Sequence, residues 1–456
     1  MYPRVIVKDF GPFEHADLEL KPLTIIVGRN SIGKSMLSYL TWALMVSIPD
    51  FEKLGEIVEE RGVIELANRV LNNIKVGLNP KDDFINLVKK HIEALPEAIV
   101  SNLKNVLQRT FTRSLGELIR EGASKAVVRV EGPHAILEVV LKDNNVEVSN
   151  YKPYLKFLVE LKVNIPRPGF LRAVVGKKVY EKTLASIHDL ASVIIDLLID
   201  YSFEAFKPFF TAPVIPEEIA ALLPDSRAGI SRTLLKPYTS PTLIRSIPYS
   251  DERFIDLYYR LAEGMYKGSI DLDVVKPLIE ELGCSLETVF EGGVYAIYVK
   301  TWAGKRQPFP QAPSGVREVV IVALALASKE PPYVVVIEEP EAHLHPRAQR
   351  ILAKLIAKAV NKFKKTVLIT THSDYLLYSI NNLIALSKFP EKAKKLGFHR
   401  DEALSPDKVA TYLVKAVEAK AELQRLKVSS EGISEEEFTK VAEELVEERA
   451  ELVPLK

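Results

Sequence analysis

LTIIVGRNSIGKS, residues 23 to 35, decides how this chain is read. A near-continuous apolar run, Leu23 to Val27, leads into a glycine, the pattern of a strand buried on both faces of a sheet. Gly28-Arg29-Asn30-Ser31-Ile32-Gly33-Lys34-Ser35 then fits G-x-x-x-x-G-K-[ST], and a helix is expected from about Gly33 to Val46. Between a strand and a helix this spacing makes an anion cradle. Successive backbone N–H groups and the helix N-terminus face nucleotide phosphates, and the two glycines let the backbone come close. Lys34 neutralises β and γ charge, and the Ser35 hydroxyl is a ligand for Mg²⁺. Chance produces the string in roughly one or two of a hundred chains of this size, before the strand and helix are required.

Outward from the loop, Tyr333 to Ile337 reads as a second buried strand, and it ends in Glu338-Glu339-Pro340-Glu341. Alone, these would be solvated charges at a strand end. Beside a phosphate cradle, Glu338 reads as the metal-side acid and Glu339, one residue nearer the γ-phosphate, as the base that orients or deprotonates water. In Pro313-Ser314-Gly315-Val316-Arg317-Glu318, Ser314 is expected to N-cap a helix over 315 to 328, with Glu318 supporting its first turn. Ser-Gly before a helix is by itself only a cap. A third buried strand, Thr366 to Thr370, runs into Thr371-His372-Ser373.

In this order, these motifs resemble ABC-type ATPases of the SMC, RecF and OLD-like group. The resemblance covers residues 1 to 48 and 310 to 385 closely. It implies an α/β fold, a P-loop NTPase of ABC-ATPase type with a mixed central sheet, a small antiparallel sheet and a large, mainly helical insertion. It implies ATP and Mg²⁺ as ligands. ATP binding falls to Gly28, Arg29, Asn30, Ser31, Ile32, Gly33, Lys34 and Ser35, joined by Ser314 and Gly315 acting on ATP held by the other subunit. Ser35 and Glu338 hold the metal, and Glu339, His372 and Lys34 carry catalysis, His372 as the switch histidine at the γ-phosphate. Glu341-Ala342-His343-Leu344-His345-Pro346 resembles the D-loop, so dimer contact is preferred over metal binding for its His-x-His.

The chain also departs from that pattern. Position 338 is Glu where SMC proteins usually carry Asp, and 314 to 318 is not the Leu-Ser-Gly-Gly-Gln of transporters. No glutamine falls where a Q-loop residue belongs, since Gln108 lies in a helical pattern and Gln307 and Gln311 flank the signature. Residues 151 to 282 are too short and proline-broken for a heptad coiled coil. The 71 residues from 386 onward leave no room for a Toprim nuclease, and the one Asp-x-Asp, Asp271 to Asp273, precedes the acidic strand.

The expected organisation is a nucleotide-binding core from 1–48 and 310–385, a helical insertion at 49–124 broken at Pro80 and Pro96, and a β-meander at 125–150 joined to the core's antiparallel sheet. A second helical insertion at 151–309 ends in a β-hairpin, and 386–456 form a C-terminal α/β extension with strand 409–414 and a Glu-rich helix pattern over 434–449. Lys and Arg number 61 against 60 Asp and Glu, so net charge gives no reason to expect nucleic acid. Basic clusters at 167–178, 362–365 and 392–400 are the local exceptions. Cys284 is the sole cysteine, which excludes an internal disulfide, fits a reducing cytoplasm and reads as a small buried hydrophobe. No secretory signal opens the chain, and the most apolar run, 319–327, is about half a bilayer span, so no membrane is expected. Glutamine occurs five times while Lys, Glu and Arg abound, a balance associated with hot environments.

Leu223-Pro224-Asp225-Ser226-Arg227-Ala228-Gly229 resembles a loop of OLD-like and defence-associated ATPases, and reads equally as a surface turn. Three outputs follow. An ATP-driven homodimer, its sites shared between subunits, regulates a separately encoded effector such as a nuclease or toxin in genome defence. Alternatively the chain is a DNA-binding repair ATPase like RecF, or a nucleotide-binding module that scarcely hydrolyses.

Overall fold

The computed structural model describes residues 2–153, 155–206, 209, 219–235, 247–434 and 447–449. The proline loops at 213–216 and 237–241 and residues 435–446 of the expected tail helix lie outside them. In chain order, β1 (Arg4–Phe10), β2 (Phe13–Glu19) and β3 (Leu23–Gly28) precede helices α1 (Lys34–Val46), α2 (Phe51–Glu60), α3 (Val63–Lys75) and α4 (Lys81–Phe111). Then come β4 (Ala126–Glu131), β5 (Ala135–Lys142), β6 (Asn145–Pro153), α5 (Lys156–Glu160), β7 (Lys162–Arg167), β8 (Phe170–Val175), β9 (Lys178–Thr183) and α6 (Ile187–Phe206). The middle of the chain carries β10 (Ala220–Leu223), α7 (Arg227–Ile230), α8 (Tyr249–Lys267), α9 (Leu272–Glu281), β11 (Cys284–Glu291), β12 (Val294–Thr301) and β13 (Arg306–Pro308). The last third holds α10 (Ser314–Ala327), β14 (Val334–Glu338), α11 (Pro346–Asn361), β15 (Thr366–Thr371), α12 (Asp374–Leu386), α13 (Pro390–Lys395), β16 (Val409–Val417), β17 (Lys420–Leu426) and the short β18 (Val428–Ser429) and β19 (Gly432–Ile433).

Contacts divide the chain into two units. The first comprises residues 1–19, 39–220 and 417–422. Its strands run in the order β2-β1-β4-β5-β6, antiparallel from β2 through β6, so the meander extends the β1–β2 hairpin. The strict alternation of buried and half-buried residues along β4 and β5 is that of a sheet with one covered face. Two expectations fail here. Pro96 does not break the helical block: it sits buried inside the uninterrupted 31-residue α4, where Phe84, Leu87, Val88, Ile92, Leu95, Ile99, Leu103 and Leu107 are all buried. Packing along that stripe outweighs the one hydrogen bond that a proline removes. The stretch 162–183, expected to be helical, is a separate antiparallel meander of β7, β8 and β9.

The second unit comprises residues 20–38, 221–416 and 423–456. Its strands lie in the order β10-β14-β15-β3-β16, with β14 parallel to β15 and β3 parallel to both β15 and β16. β14 is buried along its whole length and β3 over residues 23–27, which is why both read as unbroken apolar runs. Helix α10 packs into the same core, with every residue of 319–327 fully buried, so truncating Leu324 to Ala would cost roughly 2–5 kcal/mol. No helix among the described residues is long and apolar enough to cross a membrane. β11, β12 and β13 form a small antiparallel sheet, and Cys284 at its start is buried and free.

Candidate functional site

Every residue read from the sequence as part of the site falls in the second unit. β3 ends at Gly28, and the loop to α1 takes positive φ at Gly28 (143°), Ser31 (60°) and Gly33 (104°). A β-carbon at Gly28 would stand 2.5 Å from the Val414 carbonyl oxygen on the neighbouring β16, so the glycine is required by close approach as well as by conformation. The side chain of Lys34, first residue of α1, folds back under this loop and is buried. Its ammonium faces three acceptors, the carbonyls of Gly28 at 3.0 Å and Arg29 at 2.8 Å and Nε2 of His372 at 2.7 Å. Burial pulls the Lys34 pKa down, opposed by the carboxylates of Glu339, Glu338 and Glu341. Arg29, Asn30, Ser31 and Ser35 are exposed along the loop.

The end of β14 lies alongside. Glu338 is buried, and its Oε2 accepts a hydrogen bond from the Asp225 amide at 3.3 Å. Glu339 leaves the strand with φ of 41°, unusual for a residue other than glycine, and its amide donates to the Thr370 carbonyl at 2.9 Å. Its carboxylate Oε1 is 3.4 Å from His372 Nε2. Lys34, Glu339 and His372 therefore converge. Burial and the Lys34 charge hold the His372 pKa below the ordinary histidine value, and Glu339 opposes them.

Two buried residues hold this geometry, Glu341, which sequence reasoning left without a role, and Arg227, which it read as reporting on nucleotide, as positioning the insertion, or as a surface turn. Glu341 Oε1 accepts hydrogen bonds from Thr371 Oγ1 at 2.6 Å and from the His372 amide at 2.9 Å, and burial raises its carboxyl pKa. Its position inside the D-loop-like stretch, three residues past the end of a buried strand, was the available signal. Arg227, read equally as a surface turn, is fully buried. It is a hub for backbone carbonyls from distant parts of the chain.

The signature is arranged differently from expectation. Pro313, not Ser314, occupies the N-cap position of α10, and Ser314 is its first helical residue. The Pro313 carbonyl accepts from the Val316 and Arg317 amides at 3.0 and 3.1 Å, so the first turn closes on Pro313 and takes Ser314 inside the helix. Glu318 lies beyond the first turn and is paired with Arg227 at 3.0 Å. Ser314 is exposed, and Gly315 abuts the His343 carbonyl, 3.2 Å from where a β-carbon would stand. The convergence of Lys34, Glu339 and His372 does not extend to Ser314 and Gly315 in the contacts of this chain. His345 caps α11 by accepting from the Arg347 amide at 3.3 Å, which accounts for one half of the His-x-His. No cluster of three or more metal-type ligands occurs among the described residues. For Mg²⁺, a buried carboxylate at Glu338 and an exposed hydroxyl at Ser35 are the donor types that suit a hard cation keeping several waters.

Residues 256–377, which carry the signature, the acidic strand and His372, match the family model of an AAA ATPase domain. That match joins a loop of G-x-x-x-x-G-K-S pattern built between a buried parallel strand and a helix. The chain carries an ATPase domain. No curated relative matches the ATPase in sequence. Among solved structures it is similar to an SMC head bound to the C-winged helix domain of ScpA (13% identity, TM-score 0.44, 94% of this chain and 98% of that one). It is similar also to the SMC head domain from Thermotoga maritima (11%, 0.38, 94% and 100%). A Pyrococcus furiosus SMC head with an extended coiled coil, bound to the C-terminal domain of ScpA, is a third (13%, 0.41, 97% and 100%).

Of the basic clusters, 362–365 is largely occupied. Lys362 pairs with Asp271 at 2.8 Å, and Lys365 is buried with its ammonium on the Glu330 and Pro332 carbonyls. In 167–178, Arg172 pairs with Glu181 at 3.1 Å and Lys178 with Asp200.

Proposed function

We propose that this ATPase is a nucleotide-driven dimer switch. The loop 28–35 takes the phosphates of ATP, and Lys34 exchanges carbonyl partners for β and γ oxygens. Ser35 and Glu338 would hold Mg²⁺, which when bound supplies charge neutralisation to those oxygens. Glu339 orients or deprotonates the attacking water, and His372 contacts the γ-phosphate. The observation that carries this reading is the convergence of the Lys34 ammonium, the His372 ring and the Glu339 carboxylate.

Ser314, exposed, and Gly315, half-buried, at the start of α10 complete the site of a second copy. The γ-phosphate then makes contacts only in the closed dimer, so ATP shifts a population between states and hydrolysis releases it. The output is control of a separately encoded effector, in the manner of OLD-like ATPases. This part of the proposal rests on the sequence resemblance.

The mass of Glu339→Gln in solution, with and without ATP and Mg²⁺, tests the switch. The variant should bind ATP, hydrolyse it about 10² to 10⁴-fold more slowly and accumulate as a dimer. A variant that stays monomeric with ATP bound sinks the shared-site reading.

A second reading, nucleic-acid binding, is favoured by one face of α11. There Arg347, Arg350, Lys354 and Lys358 line a cleft of about 390 Å³; Glu402 pairs with Lys354 at 3.4 Å and Lys358 at 3.1 Å and Glu281 with Arg347 at 3.1 Å, so the four cations outnumber the two acids that meet them. Duplex binding whose affinity does not weaken as salt rises would exclude phosphate contacts at this face.

A further inference from the structure

Arg227 sits in the turn after β10 with none of its side chain exposed. Its Nε donates to the Glu318 carbonyl at 2.7 Å and lies 3.0 Å from the Glu318 carboxylate. Nη1 donates to the carbonyls of Pro224 and Glu338, each at 2.7 Å, and Nη2 to that of Glu339 at 2.9 Å. Glu318 Oε1 in turn accepts from the Ala228 amide at 3.3 Å. One planar guanidinium thus ties residues 224–231, the helix that begins at Ser314, the last residue of the acidic strand and the residue that follows it.

The carbonyls of Glu338 and Glu339 can both reach the same guanidinium because the backbone turns at Glu339, where φ is 41°. That conformation is strained for a side chain with a β-carbon and persists only where surrounding contacts over-determine it. Here the contacts are the Thr370 carbonyl on the amide side and Arg227 on the carbonyl side. Lysine could not substitute, since a single ammonium on a flexible stem cannot serve four carbonyls and a carboxylate at once.

We infer that Arg227 is a positioning residue for Glu339. It fixes the backbone turn that delivers the Glu339 carboxylate to His372. Through its pair with Glu318 it links that placement to the helix presenting Ser314 and Gly315. A second copy docking on Ser314 and Gly315 would therefore bear on the carboxylate through α10. The inference rests on the reading of Glu339 as the base.

The test uses the full chain as wild type, Arg227→Lys, Glu318→Gln, Glu339→Gln and the double variant Arg227→Lys/Glu339→Gln. A fluorescent ATP analogue reports affinity, and single-turnover hydrolysis of ATP with Mg²⁺ reports the chemical step. Arg227→Lys should melt cooperatively and hold its affinity within about threefold, while hydrolysis falls about 100-fold, the scale of a misplaced catalytic group. Added to Glu339→Gln, it should lower the rate no further. Affinity falling in parallel with rate, or an additive double variant, marks a purely structural staple and overturns the inference. If Arg227→Lys does not fold, Glu318→Gln decides: a rate loss of about tenfold with affinity intact supports the link, and an unchanged rate overturns it. Hydrolysis by Glu339→Gln at the wild-type rate defeats the base assignment. Loss in Glu339→Gln with none in Arg227→Lys defeats the positioning inference alone.

Discussion

The ammonium of Lys34 stands 2.7 Å from Nε2 of His372. An ammonium can only donate, so the ring nitrogen must accept, which makes His372 neutral with its proton on Nδ1. The same nitrogen is 3.4 Å from the Glu339 carboxylate and, while it accepts from Lys34, has no proton to offer there. Nitrogen-detected NMR at pH 7 should find the neutral Nδ1–H form.

As pH falls, the unfolded chain takes up the histidine proton at its ordinary value of 6.5, before the folded chain does. Stability should therefore decline from that pH downward until the folded pKa is passed. Hydrolysis should show an acid limb below the ordinary histidine range. His372→Gln should lose this part of the stability change, measured as melting temperature against pH. An identical pH dependence in wild type and variant would remove His372 from the titration.

Glu341 offers a sharper contrast. Glu341→Gln keeps a carbonyl oxygen for the Thr371 hydroxyl and the His372 amide, and should hydrolyse ATP within severalfold of wild type. Glu341→Ala strands both buried donors, which costs about 1–3 kcal/mol of stability, and should lower the rate more than the affinity for ATP. Chemical denaturation and steady-state kinetics on the pair check this.

At Gly28, an added methyl would meet the Val414 carbonyl at a φ that disfavours a β-carbon. Gly28→Ala should lose about 1–3 kcal/mol and most ATP binding, read by thermal melting and titration with an ATP analogue.

Lys365 tests burial without catalysis. Its ammonium lies on the Glu330 and Pro332 carbonyls, and burial pushes its pKa down to about 7. Between there and the ordinary lysine value of 10.5, the unfolded chain holds more protons than the folded one, so stability should rise with pH across that window. Lys365→Met should abolish the rise. Denaturation midpoints at pH 7 and 9.5 give the comparison.

What the sequence revealed depended on how locally each structure is determined. The strand, loop and helix around 28–35 were legible because glycine, lysine and apolar spacing act within a few residues. β14 and β15 were legible because strands covered on both faces leave unbroken apolar runs. β7 to β9 were not, since only Val163, Leu171 and Ala173 in them are buried and the alternation is too sparse to stand out between helices. Arg227 was hidden for another reason. Its carbonyl partners at Glu318 and Glu338 lie 91 and 111 positions along the chain, and no local pattern announces a side chain whose environment is assembled from that distance. Lys34, Glu339 and His372 were named one at a time; that one imidazole nitrogen faces both an ammonium and a carboxylate is a property of the fold.

The positive φ at Glu339 carries a further consequence for anyone who would improve this protein. Glycine would relax the backbone there, and it would take away the carboxylate at the same stroke. Selection for heat resistance alone would favour that exchange and select a sturdier, idle molecule. Retention of glutamate at this position under such selection would show that turnover, and not endurance, is what the chain is kept for.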